Sequence, residues 1–392
     1  MAEALIVDVV RTPSGKGKPG GALSGVHPVD LLAGALIALV ARAGLDPSDV
    51  DDVIGGCVTQ AGEQAMNITR QAVLAAGFPQ SVPATTIDRQ CGSSQQAVHF
   101  AAHAVASGAQ DVVIACGVES MSRAPMWSNW LDRDPYGPGV ARRYPEGLVL
   151  QGVSAELVAA RFGLDREAMD AYAARSQARA ATAQAEGWFD GELVPVVTGE
   201  ATVARDETIR AGVTTEALAG LKPAFHDDAA SVRFPEIGWQ VTAGNSSPLT
   251  DGASVALVVS ERAAERLGLR PRARVHATAV AGDDPLLMLT AVLPATRKVL
   301  AKAGLDATDI DVCEVNEAFA CVPLAWQREF GVPDDRLNPS GGAIALGHPL
   351  GASGTRLLAT LLGGLERGGG RYGLQTMCEA GGLANALVVE RL

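Results

Sequence analysis

The sequence predicts an α/β protein built from two similar halves, the first interrupted by an irregular insertion. Three observations carry this. Apolar runs of strand length alternate with stretches of helical spacing toward both ends of the chain. AGLDPSDVD at 43–51 returns as AGLDATDID at 303–311, with six of nine positions identical, at an offset of 260. ALVV at 256–259 returns as ALVV at 386–389, an offset of only 130, so the first half carries 130 extra residues between its last two strands.

In chain order, residues 4–10 (ALIVDVV) read as a first strand. Residues 29–42 read as a helix, with Asp30 early and Arg42 late where the helix dipole favours each charge. The stretch 43–58 reads as a helix end at Gly44, a turn and a short strand. Val82 to Ile87 is strand-like and hands over to Cys91-Gly92-Ser93-Ser94. Helical spacing follows at Ala97, Val98, Ala101, Ala102 and Val105, and Gly108 is the stop signal. Residues 111–118 form a buried strand. From Glu119 to about Gly244 the character changes: four of the five Trp and three of the four Tyr lie there, with helical stretches at 154–163 and 165–187. A strand returns at 253–260, and from 271 the pattern begins again. The plan is an N-terminal half at 1–262, holding an inserted loop domain at about 121–249, and a C-terminal half at 263–392. Two such halves pack as a pseudo-twofold pair, with corresponding helix N-termini near the axis.

The totals narrow the function. A chain of 392 residues is long enough for a large core, and its formal charge of −12 argues against general nucleic-acid binding. The longest apolar run, Leu31 to Ala41, is too short to span a bilayer, so no membrane insertion is expected. MAEALIVDVVRTP lacks the basic start and cleavage pattern of a signal peptide, which points to a cytoplasmic protein. Six cysteines without a CxxC pair suit reduced thiols and leave no zinc motif.

Cys91 stands where a strand meets a helix N-terminus, a setting whose free N–H groups and dipole lower a thiol's pKa. Taken alone, it reads more readily as a small buried hydrophobe. The repeat changes that reading, because the offset of 260 carries Cys91 onto Gly351, inside the loop GHPLGASG (347–354). The second half also places Asn316, His348 and Cys378 just after strands or in a Gly-rich loop, and such positions gather at one sheet edge. A His beside a Cys accepts its proton and holds the thiolate as an ion pair. A second Cys serves as acid or base. Gly15 to Gly20 spells GxGxxG, but it opens no helix and is rejected as a dinucleotide site.

Five stretches together resemble the thiolase family: RTPSGK (11–16), CGSS at Cys91, NEAFA (316–320), GHPLGASG (347–354) and CEAGG (378–382). The resemblance covers nearly the whole chain. It implies a duplicated α-β-α-β-α layered fold with a loop domain in the first half, as the repeat does. It further implies cleavage of a 3-ketoacyl-CoA by CoA, with Cys91 carrying the acyl group as a thioester in ping-pong fashion. His348 would activate Cys91 and, with a water held by Asn316, form one oxyanion hole. Cys378 would move the α-proton of acetyl-CoA. The N–H groups of Cys91 and Ala380 would form a second hole, each such donor contributing about 3 kcal/mol.

The resemblance also implies that Ser247 and Met288 line the pantetheine channel and that Lys222 meets CoA phosphates. CoA would be a co-substrate, with no tightly bound cofactor and no metal. It implies a homodimer or homotetramer, with the region near 120–150 as a tetramer contact. DRQCGSSQQ and GGRYGLQTMCE look most like bacterial thiolases of fatty-acid or steroid-type catabolism, which favours cleavage of a bulky acyl chain. The alternatives are an acetoacetyl-CoA-forming biosynthetic thiolase and a non-catalytic thiolase-like subunit of a complex. A decarboxylating ketosynthase is disfavoured because Asn316 stands where its second catalytic His belongs. Two departures from the family pattern stand out. Ala380 replaces the first of three glycines and keeps the N–H, but alanine resists positive φ. The segment 226–240 is longer than usual and is expected to alter the CoA entrance or the pocket.

Overall fold

The computed structural model describes residues 3–199 and 201–392. In chain order the strands are β1 (Ala4–Arg11), β2 (Gly15–Lys16), β3 (Asp52–Gly56), β4 (Ala84–Ile87), β5 (Val112–Ser120), β6 (Val196–Thr198), β7 (Ala201–Val203), β8 (Thr250–Ser260), β9 (Ala273–Gly282), β10 (Val312–Val315), β11 (Tyr372–Glu379) and β12 (Leu383–Arg391). The main sheet runs β10-β11-β12-β9-β1-β8-β5-β3-β4, with β2 against β8, while β6 and β7 form a separate hairpin.

The repeat is visible in this order. In the first half β3 and β5 are parallel neighbours and β8 lies antiparallel to β5; in the second half β10, β11 and β12 repeat the arrangement. The halves join where β1 meets β9 through Leu5–Arg274 and Ile6–Ala273. Helix Ser93–Ser107 has its counterpart in Ser353–Gly368. The match fails at β4, whose positions fall on the short helix Ala343–Leu346 in the second half.

Side-chain alternation along the strands builds five layers. On β5, Ile114 and Cys116 face the outer helix Pro28–Ala43, whereas Val113 and Ala115 face inward. On β12, Ala386 and Val388 join the outer core with helices Val292–Ala303 and Cys321–Phe330, whereas Leu387 and Val389 face inward. The inward faces enclose the two equivalent helices, through Ala97, Ala101 and Val105 of one and Leu358, Leu361 and Leu362 of the other. The order is therefore helix, sheet, helices, sheet, helix.

Small residues let the middle helices meet at their N-termini. A Cβ on Gly354 would lie 2.1 Å from the Gln95 nitrogen, and one on Gly351 would lie 2.7 Å from the Cys57 Cα. Between β5 and β8 the chain leaves the sheet and forms helices Gln151–Arg161 and Arg166–Ala185 with shorter pieces around them. Residues 15–16 pair with β8, and no helix opens before Pro28, in line with rejecting a dinucleotide loop there. Among the described residues no helix is long and apolar enough to cross a membrane.

Candidate active site

Cys91 is buried in the turn between β4 and helix Ser93–Ser107. The turn is tightly wound. Gln90 holds φ +49°, Gln90 N–H donates to Asp88 Oδ1 at 2.6 Å, and Ser93 Oγ donates to the Gln90 carbonyl at 2.6 Å. A non-glycine residue at positive φ just before the thiol is costly backbone, held by these bonds. Cys91 lines a cavity of about 250 Å³ with Met288, Leu350, Ala380 and Gly381.

The second half closes around it. His348 is buried, and its N–H donates to Thr250 Oγ1 at 3.0 Å. Its ring Nδ1 lies 2.6 Å from Ser353 Oγ, and Ser353 gives its own hydrogen to the Pro349 carbonyl at 2.8 Å. The network assigns the proton to Nδ1, so Nε2 is an acceptor. Asn316 Nδ2 approaches Nε2 at 3.4 Å, and Asn316 Oδ1 is buried without a partner among the described residues. Leu350, two residues beyond His348, packs in one cluster with Cys91. Cys378 is buried at the end of β11, near enough that charge on Cys91 raises its pKa.

The electrostatics differ from the sequence expectation. Burial pushes the Cys91 thiol up to about 12, nearby Glu379 adding to the rise while the Gln151 side chain opposes it. Burial pushes His348 down to about 3, the Arg356 guanidinium helping. Cys378 is also raised well above the ordinary thiol range, first by burial. The helix N-terminus is present as read, but removal from water outweighs it. The resting pair is thiol and neutral imidazole, not an ion pair.

Ala380 needs no strained backbone. Positive φ falls on Gly381 (+84°) and Gly382 (+77°), and Ala380 is absent from the residues at positive φ. A Cβ on Gly382 would meet the Asp283 carbonyl at 2.8 Å, so the later glycines are the ones the turn requires.

Met288 lies in the wall of the Cys91 cavity. Ser247 N–H donates to the Ala318 carbonyl at 3.0 Å, and Lys222 is exposed; neither lines that cavity. The 226–240 segment forms helix Asp228–Arg233 and packs Phe234, Ile237 and Trp239 against Val153 and Leu157. It walls a second cavity that shares Leu148, Val149 and Leu150 with the first. Among the described residues no cluster is arranged to hold a metal ion.

Sequence reading missed two groups. Ser353 sets the His348 tautomer, and its signal was its spacing of five residues from His348. Buried Glu119 accepts from Val58 N–H (2.9 Å), Thr59 N–H (3.0 Å), Gln64 Nε2 (2.9 Å) and Gly351 N–H (2.9 Å). It thereby ties the His348 loop to the cavity wall of the first half. The repeat did carry a signal for it, since the offset of 260 relates Glu119 to Glu379.

Known proteins resemble the chain along its length. Residues 4–262 match the family model described as "Thiolase, N-terminal domain", and residues 269–391 match "Thiolase, C-terminal domain". The chain is 47% identical over 400 residues to the steroid 3-ketoacyl-CoA thiolase FadA6 of Mycobacterium tuberculosis, covering 100% of this chain and 95% of that protein. It is 43% identical over 401 residues to a 3-ketoacyl-CoA thiolase of Citrobacter koseri, covering all of both. Among solved structures, the Bacillus anthracis acetyl-CoA acetyltransferase superposes with a TM-score of 0.88 at 38% identity, over 100% of this chain and 99% of that one.

Proposed function

The chain belongs to the thiolase family, and from that premise we propose that it cleaves a bulky 3-ketoacyl-CoA with CoA through a thioester on Cys91. It is an acyltransferase of that family, acting on CoA thioesters. The observation that carries the residue assignment is the shared wall: Cys91, Met288, Leu350 and Ala380 line one cavity, with His348 fixed as an Nε2 acceptor beside Asn316.

The steps follow from these groups. As substrate fills the cavity, the Cys91 S–H gives its proton to His348 Nε2 and the sulfur bonds to the 3-keto carbon. The oxygen of that tetrahedral centre is met by the Cys91 and Ala380 N–H groups. The C2–C3 bond then breaks, leaving the acyl group on sulfur and the electron pair on the enolate of acetyl-CoA. His348 now carries a proton on Nε2, and it stabilises the enolate oxygen with a water held by Asn316. The unpartnered, buried Asn316 Oδ1 supports such a water. Cys378 gives its proton to C2, and acetyl-CoA leaves. Incoming CoA returns a proton to Cys378, attacks the thioester and releases the shortened acyl-CoA, and His348 gives its proton back to Cys91. Neutral starting forms of Cys91, His348 and Cys378 suit this sequence, since the Cys91 proton moves as the 3-keto carbon meets the sulfur and the Cys378 proton moves once the enolate has formed.

The acyl group is drawn from the cavity wall. Met126, Trp127, Trp130, Tyr136, Leu148 and Leu150 supply an apolar, aromatic surface, and among the described residues no charged one lines it. A bulky, uncharged acyl chain matches that surface, and the name of the Mycobacterium tuberculosis relative points the same way. On the CoA side, Ser247 and Lys222 remain the proposed pantetheine and phosphate contacts. The protein is proposed to be a cytoplasmic homodimer or homotetramer. Edge strand β4 and exposed Met66, Leu74 and Phe100 support self-association.

Mass spectrometry after mixing with a ring-bearing 3-ketoacyl-CoA tests the nucleophile: wild type gains the acyl mass on Cys91, and Cys91→Ser gains none. Steady-state assays across acetoacetyl-CoA, straight-chain and polycyclic 3-ketoacyl-CoAs test the substrate class. A strong preference for acetoacetyl-CoA would overturn the degradative reading in favour of a biosynthetic one.

A further inference from the structure

Glu119 and Glu379 are mates under the internal repeat, at the ends of β5 and β11, and both are buried. Their surroundings differ. Glu119 is satisfied by four donors, one of them the N–H of Gly351, the residue that the repeat equates with Cys91. Glu379 faces the corresponding turn in the first half. A Cβ on Gly92 would lie 1.9 Å from Glu379 Oε1, so the carboxyl is pressed against the residue that follows Cys91. Yet neither Glu379 oxygen has a hydrogen-bond partner among the described residues.

Gln64, the side-chain donor to Glu119, comes from the short turn Gly62–Gln64, and among the described residues no such side chain reaches Glu379. Asn385, which also crowds the Gly92 position, gives its Nδ2 hydrogen to the Gly92 carbonyl at 2.9 Å. One carboxyl of the pair is committed to holding the loops, and the other stands free behind the nucleophile. A buried carboxylate without donors is strongly disfavoured, whereas a buried carboxylic acid is tolerated.

We propose that Glu379 is a positioning residue that acts on the reaction through Cys91. As a neutral acid against the Cys91-Gly92 turn it lets the thiolate form, and as a carboxylate it opposes it. The charged and titratable groups around it are Asp88 and Arg89 from the turn, Cys91 itself, and Cys378 on its own strand. Burial raises the Glu379 pKa well above the ordinary carboxylate range, and Arg89 opposes that rise. The sign follows. Below its raised pKa Glu379 is uncharged, and above it a negative charge is added beside a sulfur that must itself become negative.

The inference rests on Cys91 being the nucleophile, so its test reads the thiol without any CoA ester. The rate of Cys91 alkylation by iodoacetamide is followed by peptide mass spectrometry from pH 6 to pH 10. In wild type the rise with pH flattens where Glu379 ionises. In Glu379→Gln the flattening is lost, and alkylation at the alkaline end is roughly three- to tenfold faster. Glu379→Asp keeps an ionisable carboxyl and retains the flattening. Curves of identical shape for wild type and the Gln variant, or loss of the flattening in the Asp variant as well, would overturn the inference. Loss of thioester formation with these alkylation curves intact would instead count against the nucleophile assignment.

Discussion

His348 Nδ1 and Ser353 Oγ are 2.6 Å apart, and Ser353 passes its own hydrogen to the Pro349 carbonyl. This relation leaves Nε2 as an acceptor, the form that the proposed mechanism needs, because Ser353 has no hydrogen left to give the ring. Ser353→Ala leaves Nδ1 without its acceptor and frees the ring to take the other tautomer, with its proton on Nε2 beside Asn316. The expected loss in acylation rate is about tenfold to hundredfold, smaller than the ~10²–10⁴ typical of removing a general base outright. Rapid-mixing measurement of thioester formation checks this, and a rate within twofold of wild type would show that Ser353 does not set the tautomer.

The pH behaviour of His348 follows from its depressed pKa. With the ring pushed down to about 3, its charged form is absent above that value in the free enzyme. An unperturbed histidine would titrate near 6.5. Nitrogen-15 NMR of labelled free enzyme should therefore show His348 as a neutral, Nδ1-protonated ring from pH 5 to pH 9. A titration centred near pH 6.5 would contradict this, and it would restore the ion-pair picture that the sequence alone suggested.

Glu119 gives a stability prediction. Each of its oxygens takes two nitrogen donors, Val58 N–H and Gly351 N–H on Oε2, and Thr59 N–H and Gln64 Nε2 on Oε1. In Glu119→Gln, either orientation of the amide sets its NH₂ against two N–H donors. Bonds to a charged acceptor contribute about 1.5–3 kcal/mol each, and the relief of burying one charge less offsets part of their loss. The expected net destabilisation is about 2 kcal/mol, measured by urea unfolding, together with a slower acylation step because the His348 loop loses its tie. A variant as stable and as fast as wild type would show that the tie is dispensable.

What the sequence made legible was whatever the duplication duplicated. The offset of 260 anticipated the paired strands, the two middle helices and the meeting of Cys91 with the 347–354 loop, because equivalent segments fold alike and pack about one axis. It did not anticipate how the halves diverge. The equivalents of β4 became helix Ala343–Leu346, and Glu119 is met by donors while neither Glu379 oxygen has one among the described residues. The thiol's direction was also misread. A helix N-terminus is a local signal visible in sequence, whereas burial is set by every element packed around Cys91. Ala380 shows the converse: the departure from three glycines looked costly, but the positive φ angles lie one and two residues later.

The inserted region supplies the last prediction, because the aromatic wall comes from it and not from the duplicated core. Trp127 and Trp130 stand with ring centroids 5.9 Å apart, tilted by 43°, both in the wall of the Cys91 cavity. Trp127 is nearly half exposed, so much of its face is open to a ligand. Aromatic faces add about 0.5–1.5 kcal/mol beyond simple area burial when a ring packs on them, and losing a large ring from a pocket costs its share of buried area as well. On the proposed reading, a ring-bearing acyl group would touch this wall, while the short chain of acetoacetyl-CoA would end near Cys91. Trp130→Ala should therefore lower kcat/KM for a polycyclic 3-ketoacyl-CoA relative to acetoacetyl-CoA by about tenfold to fiftyfold, mostly through KM. Because the wall binds the acyl group equally before and during reaction, kcat should move less. If both substrates lose equally, Trp130 holds the loop in place without reading the acyl chain, and the specificity must come from the Met288 side of the cavity.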